Sequence, residues 1–527
     1  MTRGWRRFRS RTLLAGLAGI LVAGAVVAAV ANSGTGAVPG PGPDVGASLT
    51  SPLGGVGAKR PNIVFVLTDD LSSNLVRYMP HVQALEQSGM TFTNYTVDDS
   101  LCCPSRSSIL TGRFPHNTGV FTNTGQDGGF HIFHRRGEEL QTFGTALHQA
   151  GYRTALLGKY LNGYPVAGTV RPVGAAHYGS IGNWVPPGWD RWAVGGWGYA
   201  GFDYRLNVDH QVRRYGHGAN DYMTSVLQGI GQDFVTSSAR AQRPFFLELA
   251  TFSPHYPYTP AIQDEQSFAG LRVPRVPSYG VHPDHAPPWL ATVSQLSKRK
   301  VHILDRDFRR RVQAVQSIDR AIDALRRTLA KTGQLRNTVF IFSSDNGYHM
   351  GEHGMGAGKL TAFDTDVNVP LVVAGPGIPA GSVNRDLVQN VDLAPTFENI
   401  AGAPVPAQLD GRSIVALLRG DPHVAWRSTA LIEHHGLDFD PHDPDVQTRI
   451  SGNPPSYAAI RTARFTYVRY VDGEHEYYDR TVDPNQLDNI YLRLSPRRVA
   501  ALNAQLDALR ACRGTQCWSA GRSVTTG

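Results

Sequence analysis

Cysteine is scarce in this chain, with four residues in 527, too few for a scaffold built from disulfides. The 56 glycines and 34 prolines fall well short of collagen-like or low-complexity composition. Charged residues are also sparse at 18%, against 41% hydrophobic, and that hydrophobic fraction excludes a wholly disordered chain. Beyond residue 31 no run reaches the ~18 consecutive apolar residues of a membrane span, so that part reads as soluble. No internal repeat is present. The length suits one large domain with an appendage, or two or three smaller ones.

The positive charge is unevenly placed. A formal charge of +8 and a pI near 9.3 invite nucleic acid as a partner. However, Arg3, Arg6, Arg7, Arg9 and Arg11 all precede an uncharged run at residues 12–31 that is mostly Leu, Ala, Val and Gly. A basic start, an apolar stretch and small residues at Ala29 and Ala31 read as an export signal. The run is also long enough to stay as a membrane anchor. Without those five arginines the charge falls to +3, and no nucleic-acid partner is expected. The expected location is outside the cell, secreted or anchored at its surface, with a membrane partner only if the leader is uncut. Residues 32–58, with Pro39-Gly40-Pro41-Gly42-Pro43, read as a disordered linker.

The runs at 61–67, 245–250, 338–342 and 369–373 are continuous and β-rich, as for strands buried on both faces of a sheet. Helical patterns lie between them at 79–88, 140–150 and 308–329. This alternation predicts an α/β fold, a large mostly parallel sheet with helices on both faces. Three of the runs end in Asp69-Asp70, Asp345-Asn346 and the segment to His255, and ligands in such folds bind beyond the carboxyl ends of strands. The last hundred residues read as a small antiparallel sheet with a helix at 495–510. The boundaries expected are a catalytic α/β domain at 59–424 and a C-terminal α+β subdomain at 425–527. In an exported protein, Cys512 and Cys517 would close a short disulfide loop; two unrelated thiols are the alternative.

Asp69, Asp70, Asp345 and Asn346 offer hard oxygen ligands suited to Ca²⁺ or Mg²⁺ rather than zinc. The decisive stretch is Cys102-Cys103-Pro104-Ser105-Arg106, continuing to Leu110-Thr111-Gly112. It fills every specified position of C-x-P-S-R-x-x-x-L-T-G and so resembles the sulfatase family, the formylglycine-dependent members of the alkaline-phosphatase-like superfamily. The resemblance implies that a formylglycine-generating enzyme oxidises Cys102 to formylglycine, leaving Cys103 as its neighbour. One hydroxyl of the hydrated aldehyde would attack sulfur, and loss of the other's proton would then expel sulfate. It further implies that Asp69, Asp70, Asp345, Asn346 and the modified Cys102 hold the cation. Arg106 would hold the formylglycine, Lys159 and Lys359 would act at the sulfate, and His255 would protonate the leaving oxygen. Tyr477-Tyr478-Asp479, with Asp483-Pro484 and Asn489, resembles the family's C-terminal pattern.

One departure stands out. Many sulfatases carry Lys-x-His at the Lys159 position, whereas here the run is Lys159-Tyr160-Leu161-Asn162. Asn162 hydrogen-bonds but is no base at neutral pH. With the Cys-Cys-Pro-Ser-Arg start, the Phe-Pro-His-Asn segment and the Cys512–Cys517 tail, this form is similar to the N-acetylglucosamine-6-sulfatase branch. The implied substrate is a 6-O-sulfated glucosamine in a glycan. An arylsulfatase of broad specificity acting on aryl sulfates, a phosphoester hydrolase of the same superfamily and a glycan-binding pseudoenzyme are the alternatives. His116 and Asn117 are expected to brace the nucleophile loop. His353 is as well suited to a structural role as to substrate contact. His434-His435 reads better as solvated loop than as the wall of a sugar pocket.

Overall fold

The central strand Asn62–Thr68 is buried at every position. Its odd residues Ile63, Phe65 and Leu67 enter one hydrophobic core, and Val64 and Val66 enter the other, as the two-residue period of a strand requires. A continuous apolar run is therefore stable only with helices on both faces. The computed structural model describes residues 53, 60–169, 182–436 and 447–522. The leader lies outside the described residues, and so does the linker stretch apart from Leu53, which is buried in the core.

Ten strands form one sheet. From edge to edge they are Ser382–Asn384, Met90–Phe92, Leu371–Ala374, Thr338–Ser344, Asn62–Thr68, Phe245–Ala250, Arg153–Lys159, Arg191–Gly195, Arg205–Val208 and Gln211–Arg214. The five from Thr338–Ser344 to Arg191–Gly195 are mutually parallel. Leu371–Ala374, the fourth apolar run of the sequence, pairs antiparallel with Thr338–Ser344, and the Gln211–Arg214 edge is also antiparallel. Helices Phe143–Gln149 and Leu393–Ala401 cover the first face, packing Phe143 and Phe397 against Phe246. Met223–Arg240 and the 34-residue helix Lys298–Lys331 cover the second.

The C-terminal strands Ala430–His434, Tyr457–Arg461, Phe465–Tyr470 and His475–Asp479 form a four-stranded antiparallel sheet. Helix Pro496–Ala511 packs Leu502, Leu506 and Leu509 on it, and Cys512 and Cys517 are joined by a disulfide. A buried arginine ties this sheet to the large one. Arg461 grips Asp364 through Nε and a second nitrogen at 2.9 and 3.1 Å. Its remaining nitrogen donates to Asn94 Oδ1 and Thr96 Oγ1 at 2.6 and 2.7 Å. Arg480 donates to the same Asp364 carboxylate. Burial alone would raise the Asp364 pKa, but Arg461 and Arg480 outweigh it and hold the group at about 2.

A depressed carboxylate stabilises the fold above its unfolded pKa and loses that contribution as pH falls through the folded value. Asp364→Asn is therefore expected to lose about 2 kcal/mol near neutrality. The gap to wild type should close between pH 3.8 and about 2. Urea melts across that range check it, and a gap independent of pH would refute the assignment.

Candidate active site

The site forms where the parallel strands end. Asp69 and Asp70 follow Asn62–Thr68, Asp345 and Asn346 follow Thr338–Ser344, Lys159 closes Arg153–Lys159, and His255 lies five residues beyond Phe245–Ala250. Gly158 lets that last pair of strands approach, because a Cβ there would meet Ala250 O at 1.9 Å. Into this ring points the N-terminus of helix Cys102–Thr111.

All ten residues of that helix are buried, although half of its side chains are polar. Most of these polar groups find partners, as burial requires, while Ser108 Oγ and one terminal nitrogen of Arg106 have none among the described residues. Ser107 Oγ and Thr111 Oγ1 donate back to carbonyls one turn earlier, at 2.8 and 2.7 Å, and Ser105 Oγ reaches Asp345 O at 2.5 Å. Gly112 ends the helix in the left-handed region with φ 67°.

At the helix start, the Cys102 thiol donates to Asp69 Oδ1 at 3.2 Å and lies 3.8 Å from Asp70 Oδ1. Lys359 Nζ donates to Cys102 Sγ at 2.9 Å and to Asp70 Oδ1 at 2.7 Å. Lys159 Nζ donates to Asp69 Oδ2 at 2.7 Å. Arg106 Nε donates to Asp345 Oδ2 at 2.7 Å, and a second Arg106 nitrogen to Lys159 O at 3.0 Å. His255 Nε2 stands 3.6 Å from Asp70 Oδ2 while its Nδ1 sits 2.7 Å from Tyr256 O. Cys103 is a free, buried thiol, pushed up to about 12 by burial. Its backbone N–H is held by Asn123 Oδ1 at 2.9 Å.

Three carboxylates and three permanent cations thus share a buried space. Burial lifts Asp69 to about 6, against the opposing pull of Lys159. Burial also works on Asp345, yet Arg106, Lys159 and Lys359 hold it below the usual range. Lys159 stays charged well beyond neutral pH, because Asp69 outweighs its own desolvation.

These oxygens fit a hard divalent cation. Asp69, Asp70, Cys102 and His255 present atoms within 4.8 Å of one another, and Asn346 Oδ1 is a buried acceptor with no hydrogen-bond partner. Asp345 differs from the other acids. Its Oδ2 is taken by Arg106 and its Oδ1 accepts from the backbone of Asp70 and Asn346. All nine residues singled out by motif therefore meet in one place.

A family model for sulfatases matches residues 61–403. The chain belongs to the sulfatase family. It is a hydrolase of sulfuric esters, and the C-terminal model named for N-sulphoglucosamine sulphohydrolase matches residues 351–512. The sulfatase is 34% identical to human N-acetylglucosamine-6-sulfatase over 492 residues, covering 88% of this chain and 87% of that one. It is also 34% identical to the extracellular sulfatase SULF-1 homolog of Drosophila melanogaster, over 72% of this chain and 33% of that one. In fold it is similar to a structure solved with its substrate D-glucosamine-2-N,6-O-disulfate, with TM-score 0.69 and 21% identity, covering 89% of this chain and all of that one. Among the described residues of the sulfatase no helix is long and apolar enough to cross a membrane.

Two contributors escaped the motif reading of the sulfatase. Arg311, fully buried on Lys298–Lys331, donates to Asp70 O and to Pro254 O, tying the two loops that carry Asp70 and His255. Tyr199 lies between Lys159 and His255, its ring 5.1 Å from Lys159 Nζ and 4.5 Å from the His255 ring. Asn162 Nδ2 donates to Tyr199 Oη at 3.2 Å. His116 and Asn117 both contact Cys512 O and brace the loop after helix Cys102–Thr111. His353 is buried, stacked 3.7 Å from Phe363 and bonded to Asn485 O, a structural placement. His434 is no solvated loop residue: it ends a strand and is 1% exposed.

Proposed function

We propose that this sulfatase removes 6-O-sulfate from N-acetylglucosamine-type residues of glycans, with formylglycine derived from Cys102 as its nucleophile. The observation that carries the reading is the setting of Cys102. Its Sγ lies at the amino end of a buried helix, within reach of Asp69, Asp70 and Lys359. The relation to N-acetylglucosamine-6-sulfatase over most of both chains supports the substrate class.

Asp69, Asp70, Asp345 and Asn346 with residue 102 would hold Ca²⁺, or Mg²⁺ in its place, and that cation would polarise the sulfate oxygens and favour the ionised nucleophile. Arg106, anchored by Asp345, holds the nucleophile segment against the strand ends. Lys159 and Lys359 neutralise charge on the sulfate oxygens as the S–O bond breaks. His255, with Nδ1 against Tyr256 O, presents Nε2 to the site and passes a proton to the leaving sugar oxygen. Leu161 stands where Lys-x-His would place its histidine, so no proton acceptor is assigned at that position. Export through residues 1–31, a linker at 32–58, a catalytic domain at 59–424 and a subdomain at 425–527 complete the proposal.

Mass spectrometry of the Cys102 peptide from the native host is expected to show the aldehyde, and 4-nitrophenyl sulfate is expected to be turned over in preference to the phosphate. A phosphonate monoester hydrolase from Agrobacterium radiobacter shares the fold at TM-score 0.63 and 19% identity, so the comparison is a real one. A free thiol at Cys102, or preference for phosphate, would overturn the reading.

A further inference from the structure

Tyr199 stands on the loop between strands Arg191–Gly195 and Arg205–Val208 and is 8% exposed. The loop around it is fixed. Gly201 N–H donates to Gly198 O at 3.0 Å, and Met223 N–H donates to Gly201 O at 2.9 Å, which ties the turn to helix Met223–Arg240. A Cβ on Gly198 would meet Met223 at 2.5 Å and Phe252 at 2.8 Å, so glycine is what lets the loop press this closely on Phe252. Tyr199 itself meets Phe252 edge-on, with ring centres 5.1 Å apart and planes at 84°. Phe252 precedes His255 by three residues, in the segment that leaves Phe245–Ala250.

Two residues of the site rest against the Tyr199 ring. The His255 ring centre is 4.5 Å away, tilted by 46°, and Lys159 Nζ lies over the ring at 5.1 Å. The hydroxyl end is held as well, because Asn162 Nδ2 donates to Tyr199 Oη at 3.2 Å. Asn162 is anchored in turn, its carbonyl accepting from Phe130 N–H at 2.7 Å.

The two contacts do not weigh equally. Lys159 keeps a 2.7 Å ion pair with Asp69, which is stronger than an ammonium–ring contact. His255 meets Tyr256 O through Nδ1 at 2.7 Å. One hydrogen bond fixes a point on the edge of an imidazole. The tilt of its plane, and with it the aim of Nε2, needs a surface to rest on, and Tyr199 supplies one.

We propose that Tyr199 is a positioning residue for departure of the sugar, fixing the plane of His255 so that Nε2 faces the leaving oxygen. The inference rests on the reading of His255 above as the proton donor. As the S–O bond breaks, its electron pair stays on the sugar oxygen, which takes the proton from Nε2, while sulfur remains bonded to the nucleophile. A sugar alkoxide is strongly basic and needs that proton. 4-Nitrophenolate is weakly basic and leaves without it. A defect in aiming His255 therefore grows with the basicity of the leaving group. A defect in sulfate binding or in packing is the same for every ester.

The test compares wild type, Tyr199→Leu and Tyr199→Phe on 6-sulfated N-acetylglucosamine and on 4-nitrophenyl, phenyl and 4-methoxyphenyl sulfates. Tyr199→Leu removes the ring and should lose about 10²-fold in kcat on the sugar sulfate but only about threefold on 4-nitrophenyl sulfate. Along the aryl series its log kcat should fall more steeply with leaving-group basicity than that of wild type. Tyr199→Phe keeps the ring and should restore the wild-type slope. The ratio of rates on two esters does not depend on how much of a preparation is folded, so a poorly folding variant still decides the matter. In a His255→Ala background, Tyr199→Leu should steepen the slope no further. Equal losses on every ester, or a slope that steepens as much without His255, would overturn the proposal. If wild type turns over the aryl sulfates but not the sugar sulfate, the substrate proposed above falls, and the aryl slope still decides the role of Tyr199.

Discussion

Replacing Cys102 with alanine is expected to abolish sulfate-ester turnover and leave the fold in place. The substitution deletes one sulfur atom, which contacts Asp69, Asp70 and Lys359. Lys359 keeps its 2.7 Å contact with Asp70, so no buried cation is left unpaired. The stability change should stay within the ~1 kcal/mol typical of point substitutions. Activity should fall far more, because no nearby hydroxyl or thiol can take the place of the attacking group. Cys103 points elsewhere, with its thiol held in the un-ionised form. Loss of a nucleophile typically removes ~10⁴-fold or more of kcat. Matched measurements of kcat/KM on 4-nitrophenyl sulfate and of thermal melting decide it. Residual activity within tenfold of wild type would refute the nucleophile assignment.

Asp345→Asn should combine a large loss of stability with a large loss of activity. Asp345 accepts from Arg106 Nε, from two backbone N–H groups and faces two further cations. Arg106 is 2% exposed, and it stays charged because Asp345 and Asp69 overcome its desolvation. An amide in place of the carboxylate removes the charge that compensates Arg106 and turns an N–H₂ toward it or toward backbone donors. Breaking a buried ion pair from one side typically loses about 3–5 kcal/mol. Urea unfolding of the variant should show a loss in that range, with turnover down by about 10²-fold as Arg106 loosens its hold on the nucleophile segment. A variant as stable as wild type would show that Arg106 and Asp345 are not coupled as drawn.

The parallel core of the fold was readable because both faces of each strand are buried, which writes an unbroken apolar run such as 61–67. The residues that gather at the candidate site were readable because one motif with fixed spacing marked Cys102, and carboxylates closed two of the strands. Arg311 escaped notice among Arg309, Arg310 and Arg311, a cluster that resembles a solvated face. The signal was nonetheless there. Leu304, Phe308, Arg311, Val315, Ile318 and Ile322 follow steps of three and four, which places Arg311 on the buried stripe. His434 could not be placed from its neighbours, because Glu433-His434-His435 carries no alternation. Its burial comes from Tyr457 across the sheet and from Asp99, more than 300 positions away in sequence. The Leu371–Ala374 strand was visible, but its antiparallel direction was not, since orientation depends on the connection and not on the residues within the strand.

The depth at which Cys102 lies sets an order of events. The residue has no exposure, and the entire helix that begins with it is enclosed. An enzyme that oxidises Cys102 would find no exposed part of it in the finished protein. The proposed conversion therefore belongs to the interval between synthesis and folding, and folding then closes access for good. On that proposal a molecule that folded before modification would stay inactive, however well formed, and the proportion of active protein would record a race between modification and folding. Slowing that folding, by cold or by a mild destabilising substitution far from the site, should raise specific activity per molecule.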